Sequence, residues 1–202
     1  MLCRLLNSSD ELIEFKNKFE ELSRGSQLPL SYLESSQVYG GERNGQLVCG
    51  FVVHQGSDFR VLCWIPDQEV ITSLEKAKIN GLRLSELTCL WADPNSLGTF
   101  SRTLLSIRGT IQAGSGDVDY IIASSRCQRL VADQVTVFRR FLYVGRGSVA
   151  INYDPCWAYY TKNRYLVIKT AIGFVIVSFR KLRKIVGKSS IRMRLWNYIA
   201  KG

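Results

Sequence analysis

The chain has 202 residues, 46% of them hydrophobic and 22% charged, with four prolines and sixteen glycines. That composition supports a buried core and excludes global disorder, collagen and low-complexity classes. The net charge is +10 and it is uneven: residues 180–202 hold eight Lys and Arg and no acidic residue, whereas residues 1–179 carry only +2. The basicity therefore belongs to the C-terminal segment.

The six cysteines (Cys3, Cys49, Cys63, Cys89, Cys127, Cys156) include no Cys-x-x-Cys pair, and several lie in apolar runs. They read as buried, reduced thiols of a cytoplasmic protein. With His54 as the only histidine, no metal site is expected. Residues 1–6 are too short for a signal peptide before acidic residues follow, and no apolar run reaches membrane-spanning length.

In chain order, residues 1–6 suit a short strand. Ser8 and Glu11 match a capping box, and Leu12, Ile13, Phe15, Phe19 and Leu22 give the next helix an apolar face that Gly25 stops. Ser31 with Glu34 predicts a second, shorter capped helix after Pro29. The period then changes. Residues 38–43 and 46–54 flank Asn44-Gly45, a two-residue hairpin signal, and residues 59–65 read as a third meander strand ending at Pro66. Residues 71–79 suit a helix or an irregular connection. Residues 85–92 read as a core strand with Leu87, Cys89 and Trp91 on one face and Glu86, Thr88 and Leu90 on the other. Asp93-Pro94-Asn95-Ser96 breaks that strand and can start a helix through Phe100, Leu104, Leu105 and Ile107 to residue 114. Residues 118–123 predict a strand, 126–138 an amphipathic helix and 141–144 a strand. Residues 148–153 and 164–169 offer further strands around Asp154-Pro155. The order describes an α/β (α+β) mixed sheet with helices covering its faces.

The turn Asn95, Ser96, Leu97, Gly98, Thr99 and Phe100 lies between a core strand and a helix. Helix-start amides bind phosphate, Gly98 permits close approach, and Ser96 and Thr99 donate hydrogen bonds. It reads either as a ligand-binding turn or as an ordinary strand-to-helix connection. Glu86, on the strand entering this turn, is the general-base candidate, since a partly buried carboxylate can take a proton from a nucleophile. The alternative pairs it with a basic neighbour such as Arg83. Asp93 either contributes to the site or caps the following helix. His54 ends a strand as a satisfied or exposed ring. Tyr39, Phe59, Trp64 and Trp91 line either a ligand pocket or the core.

This element order, with its strand–turn–helix at residues 85–114, resembles the GNAT superfamily of N-acetyltransferases over residues 1–170. The resemblance implies a GNAT-like, mostly antiparallel mixed sheet with helices on both faces, in which a central strand splays from its neighbour around an acyl thioester. It implies acetyl-CoA or another acyl-CoA, or an acyl-carrier phosphopantetheine, held by residues 95–100, with Ser124 and Ser125 beside the acyl group and Glu86 on the strand where the family places its base. The family turn usually reads Gln or Arg, two variable residues, Gly, one variable residue, then Gly or Ala. Asn95 and Phe100 depart from it, and no tyrosine occurs between residues 121 and 141 to match the family's general acid.

The expected activity is transfer of an acyl group to an amine by direct attack. The alternative is a catalytically silent GNAT-like binding or scaffold protein. Residues 171–202 form a basic C-terminal appendage with Val175, Phe179, Leu182 and Val186 at helical spacing. That segment reads as docked on the body, or as meeting an anionic membrane surface or an acidic carrier protein through residues 175–196. Nucleic-acid binding has only charge in its favour, without an aromatic reading surface.

Overall fold

The structure, a computed structural model, describes residues 3–23, 26–164, 166, 168, 170–173, 175 and 176. The basic run from Arg180 onward lies outside the described residues, as does Gly25. Among the described residues a seven-stranded sheet organises the fold: β1 (Cys3–Leu6), β2 (Gln37–Arg43), β3 (Gln46–His54), β4 (Leu84–Ala92), β5 (Tyr120–Ser125), β6 (Arg140–Arg146) and β7 (Pro155–Lys162). Their spatial order is β1-β2-β3-β4-β5-β7-β6, and every neighbouring pair is antiparallel except β4–β5. One face is covered by α1 (Ser9–Leu22), α2 (Leu30–Glu34), α3 (Arg60–Cys63) and α4 (Asp67–Ala77). The other face is covered by α5 (Thr99–Ala113) and α6 (Gln128–Phe138). The alternation of β-strand side chains produces this division: Val52 and Ile122 enter the first core, and Val53 and Ile121 the second.

Local chemistry accounts for most element ends. The Ser8 hydroxyl accepts the Glu11 amide at 3.3 Å while the Glu11 carboxylate accepts the Ser8 amide at 3.1 Å, closing the expected capping box. Leu12, Phe15 and Phe19 then bury one stripe of α1. Asn44 and Gly45 both have positive φ, 54° and 76°, which matches the hairpin twist between β2 and β3. Gly109 brings α5 close to the sheet, since a Cβ there would stand 3.0 Å from Leu87 and 3.3 Å from the Phe51 ring.

Four expectations are corrected. Residues 59–65 are not a strand but contain α3, because the buried Glu86 carboxylate accepts the Arg60 and Val61 amides and so starts a helical turn. Ser31 does not cap α2, whose N-cap is Pro29 with no side-chain bond. Residues 148–153 hold one turn of 3-10 helix (Val149–Ile151), started by the Ser148 hydroxyl accepting the Ala150 amide and ended by Asn152 and Tyr153 at positive φ. Among the described residues the last strand is β7, and Leu166 and Ile168, expected in a strand, do not form one. Asn163 donates to the carbonyls of Gly114 and Val118, both at 2.9 Å, just past the strand end, and Leu166, Ile168 and Thr170 are helical. The cysteines are all free, but Cys63 and Cys127 are exposed rather than buried. No helix among the described residues is long and apolar enough to cross a membrane.

Candidate acyl-transfer site

The only parallel pair in the sheet is also the one that comes apart. β4 and β5 pair from Leu84↔Tyr120 to Leu87↔Ala123, and β4 then runs on to Ala92 with no β5 partner. On its other edge β4 stays with β3 to Ala92↔Cys49, through a shift between Gly50 and Val52. Thr88 opposes Val52 and Trp91 opposes Gly50, so Cys89 and Leu90 together face Phe51. This two-against-one arrangement is a β-bulge, and Cys89 absorbs it at φ 49°. A bulge bends its strand and strengthens the local twist, which explains why β4 leaves β5 just there. It also corrects the expected facing. Leu87 enters the α5 core, but Cys89 and Trp91 enter the α1 core, so Cys89 lies on the same side as Glu86.

The turn after β4 is braced from within. The Asp93 carboxylate accepts the Asn95 amide at 2.9 Å and the Ser96 hydroxyl, which hold its pKa below the usual carboxylate range, the hydroxyl contributing most. The Leu97 amide donates to the Asp93 carbonyl at 3.0 Å, and Arg43 donates to the Ser96 carbonyl at 3.0 Å. Leu97 itself is buried in the α5 core. Asp93 thus shapes the loop, and α5 starts later than the sequence suggested, at Thr99 with Gly98 as N-cap. Gly98 brings no side-chain acceptor to the first-turn amides, and a Cβ at Gly98 would meet nothing within 4 Å. Phe100 is 64% exposed, so its ring turns to solvent. Open space therefore lies beside the start of α5, next to the stretch of β4 that has no β5 partner.

Ser125 is spent locally, accepting the Cys127 amide at 3.1 Å and donating to the Cys127 carbonyl at 3.3 Å. Ser124 pairs with Ala158 of β7 and shares the face of Ile122. The two serines therefore point to opposite faces, and only Ser124 shares the Glu86 side.

Glu86 is fully buried and lies in the closed stretch of β4, opposite His54 and Ile122. One carboxylate oxygen accepts the Val61 amide at 2.6 Å; the other accepts the Arg60 amide and the Tyr32 hydroxyl, both at 2.8 Å. Burial pushes its pKa up to about 6, with the Tyr32 hydroxyl and the two amides pulling the other way. Burial and the adjacent carboxylate push the Tyr32 phenol well above its ordinary value. His54, 3% exposed, lies 5.0 Å from the Tyr32 ring and 5.8 Å from Phe59, with Nδ1 2.9 Å from the Ser36 hydroxyl. Burial lowers its pKa, favouring the neutral ring.

Sequence reasoning missed Tyr32 and two arginines. Arg60 donates to Cys89 Sγ at 3.1 Å and to the Gln27 carbonyl at 2.6 Å, and Arg126 follows β5 directly. No periodicity marks a cation that follows a loop, so only the three-dimensional bulge finds them. Of the aromatic candidates, Phe59 and Trp91 are core, Tyr39 stacks on Phe51 at 4.9 Å, and Trp64 alone stands beside both arginines. A shallow depression lined by Glu34, Ser36 and Gln55 lies beyond the His54 end of β3, away from the parted strands. Among the described residues no group of His, Cys, Asp and Glu can hold a metal ion.

No protein-family model matches the sequence, and no curated protein matches it. The fold, however, recurs in solved structures. FeeM, an N-acyl amino acid synthase from uncultured soil microbes, superposes with a TM-score of 0.63 at 15% identity, over 82% of this chain and 91% of that one. An N-acetyltransferase from Staphylococcus aureus gives 0.53 at 9% identity, over 81% and 97%. A spermidine N-acetyltransferase from Vibrio cholerae gives 0.52 at 10%, over 83% and 98%. At these identities the likeness is one of architecture: the chain shares the fold of these solved structures.

Proposed function

We propose that this protein is an N-acyltransferase that moves an acyl group from an acyl-CoA or an acyl-carrier thioester to an amine. The observation that carries the reading is the parting of β4 and β5 after Leu87 and Ala123, at a bulge and beside an open helix start. A strand edge without a partner offers backbone amides to a carbonyl oxygen, where they stabilise negative charge developing in the tetrahedral intermediate. The first turn of α5, entered from Asn95 to Phe100, holds the phosphates. The amine nitrogen attacks the carbonyl carbon, the C–S bond breaks, and the thiolate leaves with the carrier. The proton released from the amine passes toward Glu86 through the Tyr32 hydroxyl that already donates to it. Asp93 keeps the turn in shape, and Ser124 lies on the Glu86 side of β5. The basic residues 180–202 serve an acidic carrier protein or an anionic membrane surface.

A second reading, a catalytically silent binding protein of the same fold, is favoured by one observation: both Glu86 oxygens are occupied by protein donors. A screen of acetyl-CoA, long-chain acyl-CoA and loaded carrier protein against an amine panel separates the two. We expect saturable thermal stabilisation by at least one thioester together with release of free thiol. Stabilisation without thiol release selects the silent reading, and no stabilisation by any thioester rejects acyl transfer. The fold leaves the acceptor open, since the name of one solved neighbour specifies an amino acid product and that of another specifies spermidine.

A further inference from the structure

Each of the two strands that part is flanked by one guanidinium, and both guanidiniums lie against the same indole. Arg60, at the start of α3, reaches the β4 bulge through Cys89 Sγ, and its guanidinium carbon lies 5.5 Å from the Trp64 ring centroid and 5.4 Å from that of Phe19. Arg126, the residue after β5, lies 5.7 Å from the same Trp64 ring. It donates to the Ser23 carbonyl at 3.3 Å and to the Ser26 hydroxyl. The loop between α1 and α2 is thereby tied to both cations, because Arg60 also holds the Gln27 carbonyl.

The two cations are offset differently within the protein: Glu86 and Glu20 lie close enough to Arg60 to interact with it electrostatically. Asp154 meets Arg126 at 3.5 Å, partly exposed, whereas no ion pair within 4.0 Å among the described residues involves Arg60. Glu86 is near Arg60, but its oxygens are turned to the α3 amides and Tyr32. A guanidinium carries five N–H donors, and the hydrogen bonds of Arg60 named above use two of them. Two guanidiniums held against one ring keep N–H donors that a further anion can accept. A carboxylate suits this place. It accepts two parallel N–H groups from a guanidinium, and its carbon chain can lie on the indole.

We propose that Arg60, Trp64 and Arg126 bind a carboxylate carried by the acceptor amine, so that the acceptor is an amino acid or a similar amine with a nearby carboxylate. This assignment rests on the acyl-transfer reading. A carboxylate seated beside Cys89 places an amine one carbon away next to the free edge of β4, where the thioester carbonyl is held. Attack there forms the C–N bond of an N-acyl amino acid and breaks the C–S bond. The same two charges repel a polyamine.

The test is a competition among acceptors with wild-type protein: free amino acids, the same amino acids as primary amides, the corresponding decarboxylated amines, and spermidine. The expected kcat/KM is higher for the free amino acids by about 10- to 100-fold, the range for one charge-assisted hydrogen-bond set. Arg60→Gln and Arg126→Gln should each erase most of that preference by raising KM for the carboxylate-bearing acceptor. Turnover that is equal for amino acid and amide, or faster with spermidine, overturns the carboxylate site while leaving acyl transfer standing. Failure of every thioester to bind overturns acyl transfer and the acceptor site with it. The wild-type panel decides the question even where an arginine variant folds poorly.

Discussion

Gly50→Ala is expected to lower folding stability by about 3 kcal/mol or more, the upper range for overpacking a tight site. Gly50 sits in β3 between Gly40 of β2 and Trp91 of β4, immediately beside the bulge. A Cβ there would be driven into the Phe15 ring and to 2.6 Å from the Tyr39 carbonyl oxygen. The carbonyl belongs to the paired backbone of β2 and cannot swing away. Phe15 is fully buried and packs edge-on against Trp91, with centroids 5.7 Å apart, so it has no alternative place. Urea denaturation measures the loss, and Gly98→Ala is the control. Its Cβ meets open space, so the cost should stay at about 1 kcal/mol or less, the scale of an N-cap change. Comparable losses at the two glycines would contradict the close packing beside the bulge.

Glu86→Ala should cost a similar amount, about 3 kcal/mol or more, because it strands two helix-start amides and the Tyr32 hydroxyl without their acceptor. The intact carboxyl also has a signed pH dependence. Its folded pKa, about 6, lies above its ordinary value of 4.5, so the folded state holds the proton more tightly than the unfolded chain. The stability it contributes is fully present below 4.5 and is lost as pH rises through 6, a loss of about 2 kcal/mol for a shift of that size. Glu11 runs the other way. The Ser8 and Asn7 amides and Arg4 hold its pKa down to about 2, so its contribution is lost as pH falls below 4.5 toward 2. In Glu86→Gln the decline in stability between pH 4.5 and 6 should disappear. In turnover, kcat/KM of the wild type should fall on the acid side with a midpoint near pH 6, and Glu86→Gln should lose that limb. A wild-type profile without it, or a variant as active as the wild type at pH 7, removes Glu86 from proton transfer.

The sheet was legible wherever one local rule acted alone. Ser8 with Glu11 marked the start of α1, Asn44-Gly45 marked the hairpin, and the run from Ser85 to Ala92 marked β4. Misreadings arose where a distant group decided the local conformation. Phe59, Val61, Cys63 and Ile65 alternate like a strand, yet Glu86, a residue far along the chain, captures two amides and winds that segment into α3. Residues 148–153 look extended, but the Ser148 hydroxyl turns them. The same limit governed the site. Glu86 and the turn from Asn95 to Phe100 stood out because charge and glycine interrupt an apolar pattern. The bulge at Cys89 did not, since a cysteine at φ 49° leaves no trace in composition. With the bulge hidden, Cys89 was placed on the wrong face, and Arg60 and Arg126 had nothing to mark them.

The decisive measurement is the pattern of backbone amide shifts, in a nitrogen-labelled sample, on titration with acetyl-CoA and then with a long-chain acyl-CoA. Saturable shifts shared by residues 88–92 and 98–101, with β1 and β2 unmoved, are the expected result for a thioester lodged between the parted strands. Amides in those two stretches that stay still while either compound is added to saturation, or shifts confined to other surfaces, would contradict a thioester site at the β4 bulge.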